Sequence, residues 1–201
     1  MEKINRNKLM VKILKKNRRY EIIIMWLVIF IIFFVANAKA DTYEEVKWRI
    51  TTTLSVIDIV YGGDPLYSHE MVSLLLLTLA VESDFCRNIN SQSGNDLGSF
   101  QLNIENVEDI YKNFLKYKKQ NKLLLKANHY KSDASLKYDL TNNFEYSVII
   151  ASIHYKRRLK EWMPITDWEM AHTWRLVYNC GDKSRAKTAY KKYYKYCKKG
   201  D

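Results

Sequence analysis

Proline and glycine are scarce, at 2 and 6 in 201 residues. Pro65 and Pro164 each mark a helix break, and neither stands in a linker long enough to separate domains. Cysteine is limited to Cys86, Cys180 and Cys197. No Cys-x-x-Cys pair exists. An odd count leaves at least one thiol free or paired with another molecule. Cys180–Cys197 is the expected pair, because both fall in the last two helices. His69, His129, His154 and His172 are scattered, with no His-x-x-x-His. No metal spacing results, so neither a metal nor a cofactor is expected. Strand signals are few, and no repeat is present.

The formal net charge of +11 is unevenly spread. Residues 1–40 hold 9 Lys and Arg against 2 Asp and Glu; the other 161 residues hold 24 against 20, or +4. A nucleic-acid surface needs a concentrated basic stripe. Lys183 to Lys199 supplies one, but the N-terminal segment directs it to the wrong compartment, so no nucleic-acid partner is expected. A weakly basic exported domain suits an anionic polymer instead.

That N-terminal segment begins with Lys3, Arg6, Lys8, Lys12, Lys15, Lys16, Arg18 and Arg19. Ile22 to Ala36 follows without a charge, then Ala38-Lys39-Ala40 and Asp41. A basic start, an apolar core and A-x-A form a secretory signal with cleavage after Ala40. The uncharged stretch 22–38 is also at the lower edge of a membrane span, so a retained anchor is the alternative. Either outcome puts residues 41–201 outside the cytoplasm, in the periplasm or cell envelope. No cysteine near Ala40 offers a lipid acceptor. The exported 161 residues suffice for one domain with its own core.

Within that domain, Val46, Ile50, Leu54, Ile57 and Tyr61 recur at helical spacing over Thr42–Val60. A second helix is expected from Ser68 to Ser83, apolar on nearly all faces and therefore central and buried. Arg87 to Asn103 reads as a structured loop with short strands. Ile104–Gln120 is read as a helix, and Leu123–Leu140 as a helix and a loop. Asn142 with Glu145 resembles a capping box opening a helix to Lys160. Thr166 with Glu169 is a second such box. The helix it opens carries Ala171, Trp174, Leu176, Val177 and Tyr178 and ends at Gly181. A last helix, starting at Asp182 or Ser184, carries Tyr190, Tyr193, Tyr194 and Tyr196, read as packing residues. The expected fold class is mainly α.

The most informative stretch is Leu74 to Leu102. Its apolar helix runs straight into Glu82. An acid at a helix end is ordinarily solvated. Apolar surroundings instead destabilise its charged form and raise its pKa. A carboxylic acid still protonated near neutral pH can protonate a leaving group. Ser91, Ser93, Gly94, Gly98, Ser99 and Gln101 follow, offering hydroxyls, an amide and open backbone suited to sugar hydroxyls and N-acetyl groups. Gly98 would let the chain approach a ligand closely. Tyr178, at the end of a late helix, is a candidate to bond Glu82 or a substrate, and Asn179 to bind the substrate's backbone.

Three segments together resemble the lytic transglycosylase domain of the soluble type, in the lysozyme-like superfamily. Ala80-Val81-Glu82-Ser83 resembles its A-x-E-S. The run Ser93 to Leu102 resembles its S-x-G…G-L-M-Q-I, with Ser99-Phe100 in place of Leu-Met and a loop one residue longer. Tyr178-Asn179-Cys180-Gly181 resembles its Y-N-x-G. The resemblance covers Val46 to Tyr196, and Lys112–Tyr138 lacks a family signature. It implies a small lysozyme-like helical domain, with a central buried helix ending at a catalytic Glu and a short loop or β segment beside a cleft.

It further implies Glu82 as acid and then base. The substrate is the bond between N-acetylmuramic acid and N-acetylglucosamine in peptidoglycan, which closes to a 1,6-anhydro end. Ser83, Ser91, Ser93, Gly98, Ser99, Phe100, Gln101, Tyr178 and Asn179 are the implied substrate-binding residues. Asp84 should point away from Glu82 if the helix persists. Asp96, the remaining acid of the motif loop, is the candidate second carboxylate of a hydrolytic, goose-type lysozyme. A non-catalytic wall-binding or assembly protein is a third reading. Candidate partners are peptidoglycan strands and an envelope-spanning secretion, conjugation or phage machine.

Overall fold

The computed structural model describes residues 43–61, 65–86, 96–114, 133–160, 162–179 and 183–197. All of them fall in one compact unit, Lys39–Asp201. Helix α1 (Tyr43–Tyr61) turns Val46, Ile50, Leu54 and Ile57 inward, as their spacing predicts. Helix α2 (His69–Glu82) starts at Ser68, whose hydroxyl accepts from the Met71 amide at 3.1 Å. Ser is a strong N-cap because it satisfies an amide that has no partner within the helix.

Nine of the fourteen residues of α2 are buried, from Met71 to Ala80. It packs against α1 and three later helices: α5 (Phe144–Leu159), α6 (Asp167–Trp174) and α7 (Lys183–Cys197). Each leucine so enclosed contributes roughly 1.5–3 kcal/mol of transfer free energy. Its one buried polar side chain, Thr78, donates to Leu74 O at 2.8 Å and lies 2.6 Å from the Tyr155 hydroxyl on α5. A threonine hydroxyl has one proton, so the Tyr155 O–H is the donor to Thr78.

Strands β1 (Asp96–Leu97) and β2 (Leu102–Asn103) pair antiparallel, with Asp96 opposite Asn103 and Leu97 opposite Leu102. Helix α3 (Ile104–Asp109) follows and widens into a π-helical turn over Ile110–Phe114. The helix expected over Ile104–Gln120 is therefore not uniform, and its last residues lie outside the described set. Helix α4 spans Asp133–Asn142. Among the described residues the domain is thus seven α-helices with one two-stranded sheet, a mainly α fold.

Asn142 does not cap α5. It ends α4, its amide donating to Tyr138 O, and Asn143 is the cap, accepting from the Tyr146 amide at 3.0 Å. With Asn143 as the cap, Glu145 stands one residue short of the position a capping box needs. It is buried and accepts from Arg49 Nε at 3.0 Å and Nη2 at 2.6 Å. Arg49 also lies over the Phe144 ring, 4.4 Å from its centroid. This ion pair fastens α1 to α5 through the core. The second box is made as expected: Thr166 and Glu169 bond each other's backbone amides at the start of α6.

The paired cysteines expected at 180 and 197 lie outside the described side chains, as does the signal or anchor stretch 22–38. No helix among the described residues is long and apolar enough to cross a membrane.

Removing one partner of a buried ion pair leaves the other charge uncompensated. Arg49→Met should therefore lower unfolding free energy by roughly 3–5 kcal/mol, while Arg49→Met with Glu145→Leu should recover most of the loss. Urea unfolding of the two variants checks this.

Candidate active site

Glu82 is the last residue of α2, and the chain turns sharply after it. Ser83 closes the helix. Its amide reaches Leu79 O at 3.2 Å, and its hydroxyl accepts from the Cys86 amide at 3.0 Å. Asp84, Phe85 and Cys86 then adopt left-handed backbone, with φ of 52°, 55° and 66°. Three consecutive non-glycine residues there are strained by roughly 1–3 kcal/mol each. Burial of Phe85, ringed by Tyr43 and by Tyr196 at 4.4 Å, holds the turn. The turn carries Asp84 off the helical path of Glu82.

Glu82 itself is mostly withdrawn from water. The Trp174 indole N–H, from the end of α6, donates to its Oε1 at 2.7 Å. Trp174 is only 3% exposed, so this donor is fixed in the core. Burial pushes the Glu82 carboxyl up to about 7, against a smaller opposing effect of the indole bond. The Asp96 carboxylate on β1 raises it further, and Lys192 and Arg185 of α7 pull it down. Lys192 also donates to Val81 O at 3.1 Å, so it sits at the end of α2.

Behind Glu82 stands an aromatic wall. Tyr178 lies in the π-helical turn Arg175–Asn179 that extends α6. Its ring is 5.1 Å from Tyr155 and 5.2 Å from His154. Its hydroxyl is enclosed without a hydrogen-bond partner, and burial holds it protonated. His154 is enclosed as well, and burial lowers its pKa to about 4, leaving it neutral. The charge of Glu82 reaches both tyrosine hydroxyls. Of the two candidate partners of Tyr178, Glu82 is not bonded by it; Trp174 makes that bond.

The hairpin carries Asp96 and, at its turn, Gly98 to Gln101. Gln101 has φ of 47°, and its side-chain Nε2 donates to Gly98 O at 2.7 Å, which ties the turn shut. Gly98 has φ of 70°, and a Cβ there would fall 1.8 Å from Leu140 O. Its freedom serves this close contact with α4. Ser99 is buried against the Cys86 thiol. Phe100 is wholly enclosed, stacked on Phe144 at 6.1 Å. Ser83, Ser99 and Phe100 are therefore buried in the frame of the two turns. Ser91, Ser93 and the Asn179 side chain lie outside the described residues.

The structure thus sets the Asp96 carboxylate and the Tyr178 hydroxyl within electrostatic reach of Glu82. It adds Trp174, Lys192 and Arg185, which sequence reasoning did not select. Trp174 stands one helical turn before Tyr178, and that spacing was the available signal.

No family model, curated protein or solved structure matches this chain.

A carboxyl whose folded pKa exceeds its unfolded value favours folding at low pH, and that stability is lost as pH rises through the folded pKa. Glu82 should thus cost the fold up to roughly 3 kcal/mol between pH 4.5 and 7. Glu82→Gln should be more stable than wild type at pH 8 and nearly equal at pH 4, by thermal unfolding. Trp174→Phe removes a donor that favours the carboxylate, so the same pH midpoint should move above about 7. An unmoved midpoint would mean the indole bond is not made in solution.

Proposed function

We propose that this chain is a peptidoglycan lytic transglycosylase, with Glu82 as its single acid–base. One observation carries the reading: a mostly buried carboxyl at the end of the central helix, its pKa raised to about 7. General acid catalysis works best when the acid's pKa lies near the working pH. The motif resemblance around Glu82, Gln101 and Tyr178 supplies the substrate class.

In this reading the protonated Glu82 gives its proton to the oxygen between N-acetylmuramic acid and N-acetylglucosamine. The bond to the leaving sugar breaks, with assistance at the anomeric carbon from the substrate's own N-acetyl group. Glu82, now a carboxylate, takes the proton from the muramoyl 6-hydroxyl. That oxygen closes the 1,6-anhydro ring, and no water is consumed. Trp174 holds Oε1, which leaves Oε2 to carry the proton. Gln101 and the hairpin backbone form the edge along which the glycan lies. Export by residues 1–40, as cleaved signal or retained anchor, would bring the domain to its polymer. An envelope machine would be the partner that targets it.

A second reading has its own support. Asp96 is near enough for its charge to act on Glu82, as paired carboxylates of hydrolytic glycosidases do. With Asp96 holding a water, the enzyme would be a goose-type muramidase.

Mass spectrometry of fragments released from purified peptidoglycan separates the two. Anhydro ends, lighter by one water, support the transglycosylase; free reducing ends support the muramidase. Glu82→Gln should fold and release nothing, and lysis retained by that variant would sink both. Activity should decline as pH rises through about 7, when the acid loses its proton. Asp96→Asn removes a like charge, so this decline should move to lower pH while anhydro product persists. Loss of all product in Asp96→Asn would favour the muramidase.

A further inference from the structure

Large apolar side chains exposed singly are ordinary on a protein surface, whereas a cluster of them marks a contact. Among the described residues, four such side chains gather where α5 passes into α6 and α6 meets α7: Trp162 at 53% exposed, Ile165 at 78%, Trp168 at 47% and Tyr194 at 42%. The loop that displays the first two is fixed. The Trp162 amide donates to Leu159 O at 3.1 Å, and the Ile165 amide to Glu169 Oε2 at 3.0 Å. Between them Met163 is drawn against the core and Pro164 is buried. Ile165 stands just before the Thr166 cap, where an apolar residue ordinarily packs on the fourth residue of the helix, here Met170. Its exposure shows that no such packing hides it.

The loop runs directly into Trp168, whose ring lies 4.7 Å from His172 and 6.0 Å from Tyr190. Tyr190 continues to Tyr194 at 6.0 Å along α7. Acids stand here too, Asp167 exposed and Glu169 tied to the cap amides, so charge does not select the partner. The rings do. A base or a flat sugar stacks on open ring faces set in a row. Trp168 meets both neighbours edge-on, at 75° and 76°, and Ile165 has no ring to offer. A bilayer interface asks for less order: rings with an apolar body and a polar tip, beside aliphatic groups. Exposed Lys187 and Lys191 precede Tyr190 and Tyr194 by three residues each, on the same side of α7. Their stems can lie along lipid with the ammonium in water. The chain itself brings a bilayer near. The uncharged run 22–38 ends five residues before Tyr43, at most roughly 18 Å of extended chain.

We propose that this edge is a membrane-contact surface, with Trp162, Ile165 and Trp168 entering the lipid and Tyr190 and Tyr194 at headgroup level. Lys192, which bonds Val81 O beside Glu82, is two residues from both tyrosines and so lies nearly opposite them around α7. The surface does not involve Glu82.

Tryptophan quenching by phosphatidylcholine brominated on its acyl chains tests this on the full chain in vesicles, because bromine there reports an indole that has entered the lipid. The run Ile22–Ala36 can hold the chain to lipid by itself, so attachment is not the reading, and Trp26→Phe is made in every chain to silence that run. This parent should be quenched. Adding Trp162→Phe with Trp168→Phe should remove most of the quenching, and adding Trp48→Phe should remove little. Ile165→Glu keeps every remaining indole, changes an exposed position, and should cut quenching at least about twofold. It decides the matter should the double variant unfold. Glu82→Gln should be quenched as the parent is. No quenching, quenching carried by Trp48, or quenching unchanged by Ile165→Glu would overturn the surface. Self-association or retention on purified peptidoglycan that Ile165→Glu abolishes, without quenching, would give the edge to a second copy or to glycan and overturn it as well.

Discussion

The carboxyl of Glu82 depends on a helix with almost no solvated face. α2 is enclosed by α1, α5, α6 and α7, so its last side chain emerges from apolar packing and not from water. Desolvation alone would drive such a group far from its ordinary pKa. The indole of Trp174 limits that effect by bonding one oxygen. The balance leaves an acid poised near neutrality, close to a cation pair on α7 and a second carboxylate on β1. Remove the enclosure of α2 and Glu82 becomes an ordinary surface acid.

The segments around it serve this arrangement by fixing backbone. Three left-handed residues after Ser83 turn the chain away at once, at a strain that the burial of Phe85 offsets. The hairpin is held twice, by the Gln101 amide on Gly98 O and by the contact of Gly98 with Leu140 O. Gly98 and Gln101, read from the sequence as ligand groups, also tie this turn together. Such rigidity is what a positioned acid requires, because misplacement by an ångström is costly in catalysis.

Helix extents and caps were largely legible because they follow local rules. The Thr166–Glu169 pair acts where its spacing places it, and the central helix begins beside Ser68 as its apolar run implies. Asn142 failed because α4 runs on to include it, and Glu145, its expected partner, lies in the core on Arg49, 96 residues away in the chain. Asn143 then supplies the cap. The burial of Ser99 and Phe100 was hidden for a similar reason. A hydroxyl and a ring in a polar loop look available, and only the packing of the hairpin on α4 and α5 encloses them. Trp174 was visible as an aromatic on a helix, but its indole N–H acquires a role only once α6 crosses the end of α2.

The sequence by itself determined a mainly helical domain, a central apolar helix and an acid at its end. Periodicity, capping chemistry and an uninterrupted apolar run are local properties that each residue carries with it. The tertiary structure alone decided which side chain bonds Glu82, which carboxylate raises its pKa, and which loop residues are enclosed. Those depend on where α6, α7 and the hairpin meet α2, and desolvation is a property of that whole environment.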